Sequence, residues 1–405
     1  MKNKKIAIIG TAGLPANCGE FEMLAEHLLK RLGGKWDISV YCSSKKYTKA
    51  QRLKTYKGAR LIYLPLEANG IQSILYDSLS ILHALFFADV LLVLGVGGGF
   101  VLPFARLFTR KTIVTAIDSI EWKRNKWSKI ARLYFWIAEW MAIKFSNAHI
   151  ADNESIQNYL AIRYKTISTL IEYGADHMPT ISPIRSADKE KYPFLKGPYA
   201  FKVCRIEPEN NISMVLSAFS KLPKHPLVMV GNWSNSEYGI KTRKEFSKFP
   251  NIILLDPIYD QKVLDVLRGN CYVYIHGHSA GGTNPSLVEA MYLGLPIMAY
   301  GVSYNKTTTE GKAFYFKSAD ELVDLIKTKK LSDLKEAAAV MKDIAHSRYT
   351  WKLVADKYEY MIARAIATSN KRKLTSEISG KIPGDKLIEY ELGHLKSPAF
   401  FYEKR

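Results

Sequence analysis

The feature that most restricts the fold is a series of short apolar runs, separated by stretches with helical character. The runs are nearly all apolar rather than alternating, which is typical of parallel strands covered on both faces. Helices between such strands predict an α/β fold with a doubly wound parallel sheet. In the first half the runs are IAIIG at 6–10, DISVYCS at 37–43, RLIYLP at 60–65, DVLLVLG at 89–95 and KTIVTAID at 111–118.

The second half of the chain repeats this alternation. Its runs are YAFKVC at 199–204, PLVMVG at 226–231, NIILLD at 251–256, YVYIHG at 272–277 and LPIMAY at 295–300. Because 405 residues exceed one ordinary core, we predict two Rossmann-like domains, 1–180 and 181–346, facing a cleft. A C-terminal helix at 347–368 is expected to pack back toward the first domain. The basic tail 369–405 has no assigned role.

The charge balance of the chain indicates an anionic partner. Lys and Arg number 58 against 38 Asp and Glu, a formal net charge of +20. Nucleic acid, anionic lipid or a phosphorylated substrate would each suit this excess, and charge alone does not choose among them. The four cysteines are scattered without a CxxC pair, which favours a reducing compartment. The first apolar run is too short for a signal peptide, so we expect a cytoplasmic protein.

Two apolar stretches raise the question of membrane contact. In 78–108, Asp89 and the glycines at 97–99 interrupt the apolar sequence, so we predict helix, buried strand and helix instead of a membrane span. The stretch 123–145 combines six basic residues with aromatics at helical spacing. Such a helix can lie on an anionic membrane, although an aromatic stripe packed against the sheet explains the pattern as well.

The most informative segment is HGHSAGGTNPSLVEAMYLG at 276–294, which follows one predicted strand and begins a helix. Asn284 is a good N-cap, and Pro285 suits the first helical position. The free N–H groups and the helix dipole at this end provide a natural seat for a diphosphate. Glu289, one turn further on, can accept two hydrogen bonds from ribose hydroxyls. Alternatively, it only supports the helix dipole.

This segment also carries a resemblance. GGTNPSLVEAMYLGLPIMA resembles the donor-binding signature of retaining glycosyltransferases with the GT-B fold, family four. Those enzymes usually have two glutamates here, eight residues apart; the second is Glu289, and the first position is Gly281. The pattern HGHS-x-GGTNPSL-x-EAM is similar to a subgroup, the bacterial β-1,4-rhamnosyltransferases of capsule and cell-wall polysaccharide synthesis. The resemblance covers about residues 1–365 and implies the GT-B fold.

The resemblance implies a donor site. Arg205, in CRIEPENNI, matches the family arginine that binds the donor diphosphate, a task that suits a guanidinium fork. A lysine found a few residues later in many members is replaced here by Asn210, and the subgroup has EPENN as well. The first loop, GTAGLPANCGEFE at 10–22, also resembles the subgroup. The donor-binding residues so implied are Gly19, Arg205, Asn210, Gly282, Thr283, Asn284, Pro285, Ser286, Leu287 and Glu289.

An acceptor site is implied by IDSIEWKRNKW at 117–127, which follows a strand and resembles a motif of the subgroup's first domain. Asp118 and Glu121 would orient the acceptor hydroxyl, and neighbouring basic side chains would hold an acceptor phosphate. Alternatively, Glu121 pairs with a basic neighbour and Trp122 fills the core. The acceptor-binding residues so implied are Glu20, Asp118, Glu121, Arg124 and Asn153. The catalytic residues so implied are Asp118, Arg205 and Glu289.

The activity that the resemblance implies is that of a retaining hexosyltransferase. It would move L-rhamnose from dTDP-L-rhamnose onto a sugar carried by a lipid diphosphate, in peripheral contact with the inner face of the cell membrane. No cofactor, nucleic-acid partner or bound metal is expected, although His276 and His278 form an HxH pair. A UDP- or GDP-sugar donor, a nucleotide-sugar epimerase and a basic nucleic-acid-binding protein are the alternatives.

Overall fold

Two compact units make up the computed structural model of this chain, which describes residues 4–16, 19–124, 126–368, 373–374 and 376–377. One unit comprises residues 1–172 together with 352–405, and the other comprises residues 173–351. Each contains a parallel sheet with helices between its strands. The predicted α/β architecture of two Rossmann-like units is confirmed.

An eight-stranded sheet organises the first unit, in the order β3-β4-β2-β1-β5-β6-β7-β9. Neighbouring strands pair in parallel except β3 with β4. The direction of progression reverses between β1 and β5, and ligands of such sheets bind beyond the carboxyl ends of the strands near that reversal. The strands are β1 (Lys5–Ile9), β2 (Asp37–Ser43), β3 (Thr55–Tyr56), β4 (Ala59–Leu64), β5 (Val90–Leu94), β6 (Thr112–Ile117), β7 (Ala148–Ala151), β8 (Thr166–Ile167) and β9 (Thr169–Leu170).

Five helices of the described residues connect these strands, and the last helix that the structure describes belongs to the same unit. They are α1 (Glu20–Leu32), α2 (Ser73–Ala84), α3 (Leu102–Phe108), α4 (Lys129–Phe145) and α5 (Glu154–Tyr164). The residues 78–108 thus form helix, buried strand and helix, as predicted. None of the helices in the described part of the chain combines the length and apolar character that a membrane span needs.

A six-stranded parallel sheet organises the second unit, in the order β12-β11-β10-β13-β14-β15. This order places the reversal between β10 and β13, which is where dinucleotide-binding sheets hold their ligand. The strands are β10 (Ala200–Val203), β11 (Leu227–Val230), β12 (Ile252–Leu255), β13 (Val273–His276), β14 (Ile297–Tyr300) and β15 (Phe314–Phe316). The helices are α6 (Ser186–Lys191), α7 (Ile212–Ser220), α8 (Glu237–Phe246), α9 (Gln261–Gly269), α10 (Pro285–Tyr292), α11 (Ser303–Thr308), α12 (Ala319–Thr328) and α13 (Leu331–Arg348).

The C-terminal helix predicted at 347–368 is present as α14 (Trp351–Ala367), which begins four residues later than expected. Helix α13 ends at Arg348, and α14 (Trp351–Ala367) begins after a break. At the break the Tyr349 carbonyl accepts from the Ala175 N–H (2.7 Å), and Asp176 Oδ1 accepts from the Trp351 N–H (2.6 Å). These bonds satisfy backbone groups that would otherwise continue the helix.

Helix α14 is attached to the first unit by charge pairs and by the chain that follows it. Asp356 pairs with Arg31 of α1 (2.7 Å), and Lys357 pairs with Glu172 (2.7 Å). Strand β16 (Ser376–Glu377) pairs antiparallel with β8. Before it, Lys373 Nζ donates to the carbonyls of Ile143, Lys144 and Ser146. These bonds place a positive charge at the negative end of the α4 dipole, which stabilises the end of that helix. The rest of the predicted tail 369–405 lies outside the described residues.

Candidate functional site

The predicted diphosphate-binding arginine follows β10, at the reversal point of the second sheet. The Arg205 side chain is 68% exposed, and its Nη1 lies 3.9 Å from Glu207 Oε1, too far for a hydrogen bond. Asn210 is buried, and its amide donates to the Arg205 carbonyl (2.7 Å). Asn210 therefore holds the backbone of Arg205, whereas its binding of the donor stays a prediction.

The loop after β10 is joined to the loop after β13. The Glu209 carbonyl accepts from the Ser279 N–H and hydroxyl (2.9 and 2.8 Å), and the Asn211 amide donates to the Gly277 carbonyl (2.9 Å). A Cβ at Gly277 would lie 2.5 Å from the Asn210 carbonyl oxygen, so a side chain does not fit there. These contacts hold the loop that follows Arg205 against the loop that precedes α10.

Helix α10 begins at Pro285, as predicted, and Asn284 is its N-cap residue. However, Asn284 makes no side-chain capping bond; its Oδ1 accepts from the Ser286 hydroxyl (3.0 Å). Gly281 has φ +127°, a conformation that disfavours any residue with a Cβ. The backbone therefore explains why the glutamate usual at this position of the family pattern is replaced by glycine.

The Glu289 carboxylate is held by two cationic or donor side chains. Its Oε2 accepts from Arg268 Nη1 (2.5 Å), and its Oε1 lies 3.3 Å from His177 Nε2. The Trp351 indole donates to His177 Nδ1 (3.0 Å), so a neutral His177 carries its proton on Nε2, facing Glu289. Burial raises the pKa of Glu289, but Arg268 and His177 outweigh it and lower the pKa. Glu289 is thus an oriented carboxylate with lone pairs left for a ligand.

In the first unit, Glu121 is fully engaged by its neighbours. Its oxygens accept from Arg124 Nη1 (2.7 Å), the Ser119 hydroxyl (2.8 Å) and the Trp127 indole (2.8 Å). Burial raises its pKa, but Arg124 and Lys126 outweigh that effect and lower the pKa to about 2. These contacts fit the alternative in which Glu121 pairs with a basic neighbour.

Asp118, directly after β6, has the opposite electrostatic character. Burial and then the nearby Glu121 carboxylate raise its pKa to about 6. Its Oδ1 lies 3.4 Å from the Ser119 hydroxyl, a weak contact that leaves acceptor capacity on the carboxylate. A carboxylate that gains its charge near neutral pH is a candidate for orienting a hydroxyl.

The other residues predicted around the acceptor have local structural contacts. Asn153 is buried and caps α5, since its Oδ1 accepts from the Ser155 N–H (2.8 Å). Glu20 is the first residue of α1, and Gly19 before it has φ +111°. A Cβ at Gly19 would collide with Glu22, whose carboxylate accepts from the Ala12 N–H. The binding roles of Gly19, Glu20 and Asn153 stay predictions.

Two family models match the chain, one in each half. Residues 3–176 match a domain of unknown function, DUF1972, and residues 184–348 match Glycosyl transferases group 1. Residues 184–348 are a group 1 glycosyltransferase domain. A search of curated proteins finds no match.

Solved structures of similar fold span nearly the whole chain. Sucrose-phosphate synthase from Thermosynechococcus elongatus has a TM-score of 0.75 at 16% identity, covering 90% of this chain and 100% of its own. HepE from Anabaena, in complex with UDP and glucose, has a TM-score of 0.68 at 14% identity, covering 89% and 100%. A glycosyltransferase from Rickettsia africae has a TM-score of 0.67 at 14% identity, covering 91% and 100%. The predicted GT-B fold is confirmed, and with its group 1 domain the chain is a glycosyltransferase of the GT-B type.

Three side chains of the second unit were missed by sequence reasoning, and the first is a buried lysine. Lys202 lies on β10, and its Nζ is 2.9 Å from where a Cβ would stand at Gly277. Burial lowers its pKa, which the nearby Cys204 thiol opposes. Apart from its contact with the Cys204 thiol, its ammonium has no hydrogen-bond partner within the described residues. The signal available was a lysine inside an otherwise apolar strand.

The other two, Arg268 and His177, left no usable signal in the sequence. Arg268 follows the apolar positions of α9 in its last turn, where a basic side chain is ordinarily exposed. In the structure it is 1% exposed and contacts Asp265 (2.9 Å) as well as Glu289.

Among the described residues, no group of three or more His, Cys, Asp or Glu side chains is arranged to hold a metal ion.

Proposed function

We propose that this glycosyltransferase moves L-rhamnose from dTDP-L-rhamnose onto a sugar carried by a lipid diphosphate, in the synthesis of a bacterial surface polysaccharide. The observation that carries the proposal is that Arg205 and the start of α10 follow the adjacent strands β10 and β13. A guanidinium beside a helix N-terminus, at the reversal of a parallel sheet, suits a diphosphate. HepE, of similar fold, is in complex with UDP and glucose, which supports a nucleotide-sugar donor.

Each donor-site residue has a role in this proposal. Glu289, held by Arg268 and His177, accepts hydrogen bonds from the ribose hydroxyls. Arg205 and the N–H groups at the start of α10 bind the diphosphate, whose negative charge grows as the sugar departs, and so stabilise the transition state. Lys202 supplies a second positive charge beneath the same loops, in place of the family lysine that Asn210 replaces.

The acceptor hydroxyl is oriented by Asp118 of the first unit. The family retains the anomeric configuration, so we propose attack on the same face from which the diphosphate leaves. The new bond forms between the acceptor oxygen and the anomeric carbon, the bond from that carbon to the phosphate oxygen breaks, and the phosphate receives the acceptor proton. No covalent enzyme nucleophile is required. The reaction would take place at the inner face of the cell membrane, without a cofactor or bound metal.

Transfer can be separated from the rival activities with radiolabelled dTDP-L-rhamnose. We expect the label to enter the organic phase only when a lipid-diphosphate sugar is added, and UDP-glucose to be a poorer donor. Label that changes its sugar without an acceptor would identify an epimerase. Equal transfer from UDP-glucose would replace the proposed donor, and salt-sensitive binding to DNA without any transfer would replace the proposed function.

A further inference from the structure

Helix α2 carries apolar side chains on its solvent-facing side as well as on its buried side. Leu75, Leu79 and Leu82 are 51%, 41% and 42% exposed, and their spacing places them on one face of the helix. The buried residues of the helix are Tyr76, Asp77, Ser80, Ile81 and Ala84. An ordinary surface helix carries polar side chains on the face that lies away from the core.

The next two helices continue this pattern. Phe104, Leu107 and Phe108 of α3 are 60%, 66% and 80% exposed, and Ile130 at the start of α4 is 82% exposed. Phe86, just after α2, is 89% exposed. Single exposed apolar residues are common, but several on adjacent helices mark an interaction surface.

The topology places these helices side by side. The chain passes from β4 to β5, from β5 to β6 and from β6 to β7 in the same direction across the sheet. Because such parallel crossovers are right-handed, α2, α3 and α4 lie on one face of it. Helix α3 contacts α4, and the turn at 99–101 contacts both α2 and α4. We call the exposed apolar side chains of α2, α3, α4 and Phe86 the apolar face.

The exposed charged side chains at the ends of α3 and α4 are basic, whereas Asp89, three residues after Phe86, is a partly exposed acid. Arg110, Lys129 and Lys144 are exposed. The acidic residues of α2, α3 and α4 are Asp77 and Glu139, and both are buried. Lys144 Nζ lies 4.8 Å from the Trp140 ring, so a cation and an amphipathic aromatic lie together at the rim. Apolar side chains with basic residues around them suit the boundary between anionic headgroups and acyl chains.

We propose that the apolar face adsorbs on an anionic lipid bilayer. The surface differs from the helix 123–145 expected from the sequence, since most of its apolar side chains belong to α2, α3 and Phe86. This proposal rests on the proposed function in one respect, which is that the bilayer is taken to be the membrane that carries the lipid-linked acceptor. We favour lipid over another protein as the occupant because the exposed charges at the ends of α3 and α4 are basic.

Vesicle co-sedimentation of the full chain tests this surface. Vesicles of phosphatidylcholine with phosphatidylglycerol should bind the protein, and vesicles of phosphatidylcholine alone should bind it weakly. The double variant F86S/F108S should partition into the vesicles at least about tenfold more weakly, because it removes two apolar rings from the apolar face. Both rings are exposed, so their removal should leave the fold intact. R110Q/K129Q should lose the preference for the anionic lipid and its salt dependence. The matched control is I240S/Y259S, which removes exposed apolar side chains of the second unit.

Three results would overturn the proposal. The first is that the protein does not bind anionic vesicles, and the second is that F86S/F108S binds them as well as the control variant does. The third is that the protein does not bind vesicles but self-associates, and that F86S/F108S abolishes the self-association. The last would mean that a second copy covers the apolar face. Thermal melting confirms that each variant is folded, and nucleotide titration of the same samples reports on the donor site. Failure of the proposed function therefore appears separately from failure of the surface.

Discussion

Replacing Glu289 with alanine is expected to lower the free energy of unfolding by about 3 kcal/mol and to abolish nucleotide binding. The reason is that Arg268 is 1% exposed and would keep Asp265 as its one carboxylate partner. Removing one member of a buried ion pair leaves an uncompensated charge, which is more costly than removing both. Urea denaturation measures the first effect, and calorimetric titration with dTDP measures the second.

A paired variant separates the two roles of this carboxylate. R268M/E289L replaces both charges with apolar side chains, so it should recover most of the stability while still failing to bind nucleotide. E289Q keeps the shape of the side chain and serves as the milder control. If E289A is destabilised but binds dTDP like the unaltered protein, Glu289 is structural and the assignment of the ribose contact is wrong.

Asp118→Asn should lower the transfer rate by about 100-fold or more, since it removes the charge that orients the acceptor hydroxyl. Because the pKa of Asp118 is raised to about 6, the rate of the unaltered enzyme should be half-maximal near pH 6 and should level off only above that pH. Stability should follow the opposite course. The folded chain holds the extra proton between the ordinary pKa of 3.8 and about 6, so stability falls as pH rises through that window.

The neighbouring carboxylate provides the control for this pH dependence. The pKa of Glu121 is lowered to about 2, so Glu121 does not itself titrate near 6. Glu121→Gln removes a negative charge that raises the pKa of Asp118, and the rate profile should therefore shift to lower pH. Initial rates across this range in D118N and E121Q check both statements. An unchanged profile in D118N would show that another group is responsible.

The positions of the strands along the chain were predictable because nearly continuous apolar runs are a strong signal for buried parallel strands. IAIIG and YAFKVC form the strand that comes first in sequence in each sheet, β1 and β10. The residues after YAFKVC and YVYIHG lie at the reversal of the second sheet. Parallel topology brings these strand ends together whatever the loops contain. The positions of Arg205 and of Pro285 at the start of α10 could therefore be deduced without coordinates.

What escaped prediction depends on distant parts of the chain. Arg268 reaches Glu289 across 21 residues of sequence, and His177 is held by Trp351, 174 residues away. The division of α13 from α14 depends on Asp176, and no glycine or proline marks it. The apolar face was hidden because the exposed Leu82 and the buried Ile81 of α2 have the same apolar character in the sequence. Only tertiary packing shows which side of the helix faces the sheet.

The most direct test of the central claim is calorimetric titration of the full chain with dTDP, UDP and GDP. We predict that dTDP binds and that Arg205→Gln and Lys202→Met each weaken the affinity for dTDP by about tenfold or more. The reason is that each substitution removes a positively charged side chain that would attract the diphosphate. Lys202→Met should be at least as stable as the unaltered protein, since it removes a buried charge, and the exposed Lys241→Gln is the control. Failure of all three nucleotides to bind, or equal dTDP affinity in Arg205→Gln and the control, would contradict the account.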